Sequence, residues 1–440
     1  MDHSWKEKAK NILSSTTNWL FSSSWPSATF IFLTAFLIRY QKLLKIPRRW
    51  LAPNPGWEMD SIAISLVKTG EFANPYMIPT GPTAHLPPLH PWLISLIYRA
   101  FGLTEQGGFA AYLYMVLTFS LMFALLPWLG EKLGLGRPAG LIGGLIGALS
   151  VEWAGHGEYL TGIGLSLLLV FFLLRWKKGE PTWWTSILLG LFCGLLFHLQ
   201  PALLLMVIGC LVFEALRSRS GKKRLSIALV VAGIFLACLP WGVRNYQVMG
   251  GVFFIRSNFG LELRLGNHDG AAATMEIMDQ NEEEHQHPRT HLQDARLTRE
   301  VGEVEYMRLV KKEALDWIQK HPGQFIRLLG ERFINLWFGP PYDLSQAWRV
   351  TALTLLAIIG IWSYFGSLTP LQRAGLLIPV LTYPLVYYVV AYMPRYRIPI
   401  DGLIYLLSGA GVIVLIQKTL VLVKGNLNST EKTVNEEQHR

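Results

Sequence analysis

The chain contains 440 residues, of which 51% are hydrophobic and 16% are charged, and its formal net charge is +10. This composition, with a mean hydropathy of +0.31, excludes an ordinary soluble protein and indicates a polytopic helical membrane protein. The basic residues lie mainly in loops and tails, without a basic repeat interleaved with aromatic residues, so the charge indicates topology and argues against a nucleic-acid partner.

About ten segments are apolar enough to cross a bilayer, for which a helix needs about 20 mostly apolar residues. The predicted spans are residues 25–40, 111–129, 139–153, 159–175, 183–199, 201–216, 225–243, 347–366, 374–392 and 400–420. The connections between several of them are rich in Lys and Arg and are therefore expected in the cytoplasm. An even number of spans places both termini there, and the first span is predicted to be an uncleaved anchor.

Two long polar connections, residues 41–110 and 244–346, are then expected on the outer face. The predicted fold class is an all-α integral membrane protein with two extracytoplasmic loops that carry interfacial and soluble helices. The chain divides into a membrane core with the first loop, a large second loop, C-terminal spans and a cytoplasmic tail. These parts are residues 1–243, 244–346, 347–424 and 425–440.

The first loop contains GWEMDSIAISLVKTGEF, in which apolar residues recur at helical spacing. Gly70 follows the periodic stretch and can end a helix, so Glu58 and Asp60 are predicted in its first turn. On a helix these two acids point about 160° apart, whereas on an extended strand they would share one side. Glu58 shares the polar side with nearby serines, and Asp60 lies beside the apolar stripe, which favours Glu58 as the acid that faces a cleft.

Further polar groups lie beside predicted spans, where ionisable residues are costly unless they are paired or used. His156 and Glu158 flank a short outer turn. The segment YMPRYRIPIDGL contains Arg395, Tyr396 and Arg397, and in an extended conformation the two arginines project to the same side. Guanidinium groups bind phosphate oxygens well, so one role for the two arginines is to bind a phosphate. The alternative role is to anchor the segment at the membrane interface.

Metal and disulfide sites have weaker support. His285, His287 and His291 invite a zinc interpretation, but their spacing matches no firm ligand pattern, and a mobile polar loop is the preferred interpretation. The three cysteines fall inside predicted spans and indicate neither disulfides nor a metal site. The basic stretch RYQKLLKIPRRW is expected to contact membrane lipids, either as a collar or as a surface for anionic headgroups.

Several separated segments resemble the GT-C class of membrane glycosyltransferases. They are GWEMDSIAISLVKTGEFANPY, GPTAHLPPLHPWLISLIYRAFG, LPWGVRNYQVMGGVFFIRSNFGLELRLGN, HPGQFIRLLGERFINLWFGPP and PRYRIPI. The chain is similar to the bacterial branch grouped with dolichyl-phosphate-mannose–protein mannosyltransferases and lipid A aminoarabinose transferases. It thus resembles glycosyltransferase family 39. It departs from the family's adjacent Asp-Glu pair, because Trp57 precedes Glu58, and it has Gln200 before Pro201 where many relatives carry a basic residue.

The resemblance implies a polyprenyl-phosphate-linked sugar as donor and a carboxylate of the first loop, Glu58 or Asp60, as catalytic base. Such a base deprotonates an acceptor hydroxyl on a lipid, glycan or protein, and a single displacement inverts the anomeric centre. The departing phosphate needs a cation. The residues expected to supply that charge are Arg395, Arg397, Arg244 and Arg256, and those expected to line the substrate cavity are His85, His156, Glu158 and Tyr396.

No cofactor is expected to be required, since a guanidinium can replace a metal ion at a single phosphate, although a divalent cation fits the same chemistry. The expected location is the bacterial cytoplasmic membrane, with the site on the extracytoplasmic side. Two other functions are compatible with the pattern. They are a transporter or flippase for lipid-linked sugars, for which the chain lacks the usual internal repeat, and a nonenzymatic subunit of envelope assembly.

Overall fold

The computed structural model describes residues 23–150, 157–179, 181–217, 220–278 and 287–438. Every regular element in these ranges is a helix, and the only bridges between extended segments are the isolated pairs Ala73–Pro82 and Thr274–Tyr392. The predicted all-α class is therefore confirmed for the described part of the chain.

The N-terminal half of the chain alternates long apolar helices with short ones. Its helices are α1 Ser24–Leu44, α2 Glu58–Lys68, α3 Leu89–Phe101, α4 Glu105–Ala124, α5 Leu126–Leu133, α6 Arg137–Leu149, α7 Glu158–Lys178, α8 Trp183–Phe197, α9 Leu203–Arg217 and α10 Gly221–Met249. A short 3-10 turn at Arg48–Trp50 follows α1. We refer to residues 45–104, between α1 and α4, as the first polar loop.

The C-terminal half begins with short helices that carry polar surfaces. Its helices are α11 Phe259–Gly266, α12 Met275–Met278, α13 Leu292–Val301, α14 Glu303–Lys320, α15 Pro322–Phe338, α16 Leu344–Tyr364, α17 Pro370–Thr382, α18 Leu385–Val389 and α19 Ile398–Gln438. A 3-10 turn at Pro394–Arg397 leads into α19. We refer to residues 250–343, between α10 and α16, as the second polar loop.

Five helical segments in the described residues are both long and apolar enough to cross a membrane, so the predicted count of ten spans is not confirmed. They are Glu105–Leu133, Glu158–Lys178, Gly221–Met249, Leu344–Tyr364 and Pro394–Val423, with shorter apolar helices at Arg137–Leu149 and Trp183–Phe197. The predicted span 374–392 is divided, because α17 ends at Thr382 and Pro384 precedes the short α18. A proline has no backbone N–H to continue the helical hydrogen bonds.

Glycines bring the apolar helices into close contact. A Cβ atom on Gly190 of α8 would lie 2.1 Å from the carbonyl oxygen of Val230 in α10, and one on Gly143 of α6 would lie 2.2 Å from that of Tyr405 in α19. Residues without a side chain are required at such crossings, where the backbones pack directly. These contacts hold together the apolar helices that the two polar loops connect.

The two polar loops pack against each other through a hydrophobic cluster of their own. Its buried members are Tyr76, Leu261, Leu265, Met275, Met278, Tyr306, Met307, Val310 and Ala391. Tyr76 belongs to the first polar loop, and most of the others belong to the second. Residues far apart in sequence thus meet in one cluster, and polar side chains of both loops line a cavity.

Candidate active site

A polar cavity of about 340 Å³ lies between the two polar loops. Glu58 enters it from the start of α2, and Glu158 enters it from the start of α7. Charged and polar residues of the two polar loops and of the turn before α19 also line it. Among them are Asp60, His85, Arg256, Glu262, His287, Arg289, Arg395 and Tyr396.

The helical interpretation of GWEMDSIAISLVKTGEF is confirmed, since α2 begins at Glu58 and carries both acids in its first turn. The carboxylate of Glu58 is 17% exposed, and its Oε1 lies 3.3 Å from Nε of Arg289 and 3.6 Å from Nε2 of His287. Burial raises the pKa of Glu58 above its ordinary value, and the positive charge of Arg289 opposes that rise. The side chain is therefore a more basic carboxylate than an exposed glutamate.

Asp60 holds the local structure. Its Oδ1 accepts a hydrogen bond from the hydroxyl of Tyr98 (2.8 Å), and its Oδ2 accepts one from the backbone N–H of Asn54 (3.0 Å). The first contact fastens α2 to α3, and the second fastens the segment that enters α2. The two acids thus have different partners, but the expectation that only Glu58 faces the cleft is wrong, because both acids line the polar cavity.

His85 is 2% exposed and lies beside Glu58 and His287. Its Nδ1 is 3.1 Å from the hydroxyl of Tyr76, and its ring meets that of His287 edge to face at 5.7 Å. Burial, followed by the charge of Arg256, lowers the pKa of His85 well below its ordinary value. The ring is therefore neutral at physiological pH.

Glu58, His85 and His287 offer three metal-ligand atoms within 4.8 Å of one another. The backbone N–H of Arg289 donates to Nδ1 of His287 (3.0 Å), so the neutral ring carries its proton on Nε2, the nitrogen that faces Glu58. A metal ion would need the lone pair of that nitrogen. In this arrangement the Nε2–H of His287 faces Glu58 across 3.6 Å, which disfavours that nitrogen as a metal ligand.

Two of the four arginines expected at a phosphate lie in the polar cavity. Nε of Arg395 is 3.9 Å from Oε1 of Glu158, and this buried nitrogen has no hydrogen-bond acceptor among the described residues. Nη2 of Arg256 is 3.6 Å from Oε1 of Glu262. Both ion pairs are longer than hydrogen bonds, so an anionic ligand can compete for these guanidinium groups.

The other two arginines lie elsewhere, which corrects the sequence interpretation. The segment Pro394–Arg397 is a 3-10 turn, so its two arginines do not project to the same side as they would on a strand. Arg397 is 5% exposed and its Nε donates to Asp401 (2.7 Å). Arg244 donates to the carbonyl oxygens of Thr83 and Phe72.

Arg244 also lines a second, mainly apolar cavity of about 810 Å³ beside α8 and α10. Its guanidinium carbon lies 4.9 Å from the ring centre of Trp241. This apolar cavity does not contain Glu58 or either arginine of the polar cavity. Most of the polar residues singled out from the sequence therefore line the smaller cavity.

Three of the four expected cavity residues can be placed. His85, Glu158 and Tyr396 line the polar cavity, and the hydroxyl of Tyr396 is 3.5 Å from Oε2 of Glu262. His156 lies outside the described residues, as does His285, whereas His291 contacts Asp294 away from the cavity. Arg289 and Glu262 also line the polar cavity, but they are not predicted from the sequence, because no local spacing links them to α2.

Residues 85–243 match a family model described as dolichyl-phosphate-mannose-protein mannosyltransferase. This match covers less than half of the chain, and it begins at His85, so Glu58 and Asp60 lie before it. No curated protein matches the chain by sequence.

The chain is similar in structure to the archaeal oligosaccharyltransferase AglB from Archaeoglobus fulgidus. The complex with an inhibitory peptide and a dolichol-phosphate is 16% identical, with a TM-score of 0.51 and coverage of 91% of this chain and 52% of AglB. The complex with Zn and sulfate gives 17% identity, a TM-score of 0.51 and coverage of 91% and 51%. The apo form gives 14% identity, a TM-score of 0.52 and coverage of 94% and 52%.

The chain thus spans about half the length of the solved structures that it matches. At these identities the likeness concerns the fold. Together with the family match it confirms the resemblance to GT-C glycosyltransferases that the separated sequence segments indicate.

Proposed function

We propose that this protein is a membrane glycosyltransferase that moves a sugar from a polyprenyl-phosphate donor to an acceptor hydroxyl, with inversion at the anomeric carbon. The observation that carries the proposal is the position of Glu58. Its carboxylate points into a cavity that also contains the guanidinium groups of Arg256 and Arg395. The same cavity therefore offers both a base and positive charge.

The chemistry follows from this division. The carboxylate of Glu58 takes the proton of the acceptor hydroxyl while that oxygen attacks the anomeric carbon. The bond between the anomeric carbon and the phosphate oxygen breaks, and its electron pair leaves with the polyprenyl phosphate. Arg395 and Arg256 stabilise the negative charge that develops on the leaving phosphate. Attack opposite to the leaving group inverts the configuration.

The surroundings of Glu58 suit a base. Burial raises its pKa, which increases its affinity for a proton, and the positive charge of Arg289 opposes that rise. His287 directs Nε2 toward the same carboxylate oxygen, 3.6 Å away. These contacts orient the carboxylate, and neither residue needs to exchange a proton during transfer.

The charged sites support a donor with a single phosphate, and no divalent cation is needed in the proposed reaction. The acceptor is a hydroxyl of a lipid, glycan or protein. The basic short connections between the apolar helices support an orientation in which the polar cavity faces the extracytoplasmic side of a bacterial cytoplasmic membrane.

The test uses the purified protein in detergent with a polyprenyl-phosphate-linked sugar and a panel of acceptors that carry hydroxyl groups. We expect sugar transfer together with release of polyprenyl phosphate, and an inverted anomeric configuration in the product by NMR. Movement of an intact donor across vesicles without cleavage of the sugar–phosphate bond would overturn the proposal and favour a transporter.

A further inference from the structure

Glu303 is a buried acid that lies outside the polar cavity. It is 5% exposed and begins α14, directly after Gly302, whose positive φ of 82° permits the sharp turn from α13. Its carboxylate accepts hydrogen bonds from the backbone N–H of Ala84 (2.9 Å) and from the hydroxyls of Thr83 and Ser257. One carboxylate thus joins the second polar loop to the first.

Arg244 holds the same segment from the other side. Its Nη1 donates to the carbonyl oxygen of Thr83 (2.7 Å), and its Nη2 donates to that of Phe72 (2.8 Å). Burial raises the pKa of Glu303, and its three hydrogen bonds and the charge of Arg244 oppose that rise. A buried charge is costly unless it is hydrogen-bonded and compensated. Removal of Glu303 or Arg244 should therefore disturb the segment that both residues hold.

The segment held by Glu303 and Arg244 leads directly to the polar cavity. The backbone N–H of His85 donates to Oγ1 of Thr83 (2.9 Å), and Nε of Arg256 donates to the carbonyl oxygen of His85 (2.9 Å). The backbone N–H of Ser257 donates to the carbonyl oxygen of Ala84 (3.0 Å). The position of Thr83 therefore determines where His85 and Arg256 lie.

We infer that Glu303 and Arg244 are positioning residues, which clamp Thr83 and thereby hold His85 beside Glu58 and direct Arg256 toward the donor phosphate. Neither clamp residue lines the polar cavity, so both act through their neighbours. This inference rests on the proposed function and extends it to residues outside the reacting groups. It also assigns Arg244 a role different from the phosphate contact expected from the sequence.

A role in positioning differs from a role in folding alone. Small misplacements of reacting groups cost rate at the chemical step, where displacement of about 1 Å can lower it by about 100-fold. We therefore expect Glu303→Gln to lower kcat by about 10-fold or more, with a smaller change in the donor KM. A purely structural role would lower the unfolding temperature and the yield of folded protein, and would leave kcat per folded molecule unchanged.

The experiment compares Glu303→Gln with Glu300→Gln, which removes an exposed glutamate of α13. Thr83→Val and Thr83→Ser form a second pair, in which only the valine variant removes the hydroxyl that donates a hydrogen bond to Glu303. We expect losses of kcat in Glu303→Gln and Thr83→Val, and near wild-type kcat in Glu300→Gln and Thr83→Ser. If Glu303→Gln does not fold, the threonine pair decides the question.

A second measurement does not depend on activity. His85 is 2% exposed and should resist modification by diethyl pyrocarbonate, which mass spectrometry can follow at each histidine. Loss of this protection in folded Glu303→Gln or Thr83→Val supports the clamp, even if the wild-type protein transfers no sugar and the proposed function fails. Unchanged His85 protection together with unchanged kcat in both variants would overturn the inference.

Discussion

Nε of Arg289 lies 3.3 Å from Oε1 of Glu58, although the two residues belong to different polar loops. The guanidinium carbon of Arg289 also lies 5.1 Å from the ring centre of Trp57, which immediately precedes Glu58. The arginine is thus fixed against the start of α2, where it sets the charge around the proposed base.

This contact predicts how pH affects the reaction. Glu58 must be ionised to accept a proton, and burial raises its pKa above the ordinary value of 4.5. Activity should therefore be present above this raised pKa and be lost as pH falls through it. Because Arg289 opposes the rise, Arg289→Gln should raise the pKa further and move the acidic limb of the kcat/KM profile to higher pH.

The control for this profile is Arg308→Gln, which removes an exposed arginine that pairs only with the surface residue Glu305 among its described contacts. Its acidic limb should coincide with that of the wild type. An acidic limb of Arg289→Gln that stays in place or moves to lower pH would contradict the electrostatic role of Arg289.

The second prediction separates the arginines near the end of the chain. Arg395→Ala should weaken use of the donor by about 10- to 100-fold, since a hydrogen bond to a charged group contributes about 1.5–3 kcal/mol. Lys at this position should restore only part of the loss, because it lacks the planar fork of arginine. Donor titrations and initial rates measure both effects.

Arg397→Ala should act mainly on stability. Arg397 is buried and donates to Asp401, whose side chain is 14% exposed, so its removal leaves a partly buried carboxylate without this partner. Breaking a fully buried pair typically costs about 3–5 kcal/mol, which is an upper bound here. We expect a lower unfolding temperature or poor yield of folded protein. A folded Arg397→Ala protein with normal stability and selectively weakened donor binding would contradict this distinction.

A third prediction concerns metal ions. Because the backbone N–H of Arg289 occupies Nδ1 of His287, and positive charge at the phosphate comes from Arg256 and Arg395, transfer should persist after exhaustive chelation. Rates measured with excess chelator and after addition of Mg²⁺, Mn²⁺ or Zn²⁺ should agree within about two-fold. Activity that returns only with a divalent ion would contradict both the proton on Nε2 of His287 and the role of the two arginines at the phosphate.

A fourth prediction concerns the contact between Tyr98 and Asp60. Tyr98→Phe removes one hydrogen bond, which contributes about 1 kcal/mol, so the unfolding midpoint in detergent should fall slightly. Sugar transfer per folded molecule should change little. A large loss of transfer with unchanged stability would show that Asp60, rather than Glu58, requires precise placement for the reaction.

The sequence was sufficient to predict the local structure around the acids. Apolar residues at helical spacing and Gly70 predicted a helix with Glu58 and Asp60 in its first turn, and α2 confirms it. The angle between the two positions on a helix also indicates different partners for the two acids, which the structure confirms, although both acids line the polar cavity. These properties depend on residues close in sequence, so they can be derived without the tertiary fold.

Contacts between the loops could not be predicted in the same way. Arg289 meets Glu58, and Glu303 meets Thr83, only because the hydrophobic cluster around Tyr76 brings the two polar loops together. The prediction that Arg397 projects to the same side as Arg395 is wrong, because Pro394–Arg397 forms a 3-10 helix rather than a strand. Tertiary packing determines the conformation of such short segments, and no short sequence pattern predicts that packing.

The proposed mechanism assigns the role of catalytic base to Glu58 and a supporting role to Asp60. The most direct test measures sugar transfer and donor binding separately for Glu58→Gln and Asp60→Asn at matched membrane abundance. We predict that Glu58→Gln lowers turnover by about 100-fold or more while donor binding largely survives, and that Asp60→Asn has a milder effect. Full activity of Glu58→Gln, with transfer abolished in Asp60→Asn, would contradict the assignment of Glu58 as the base.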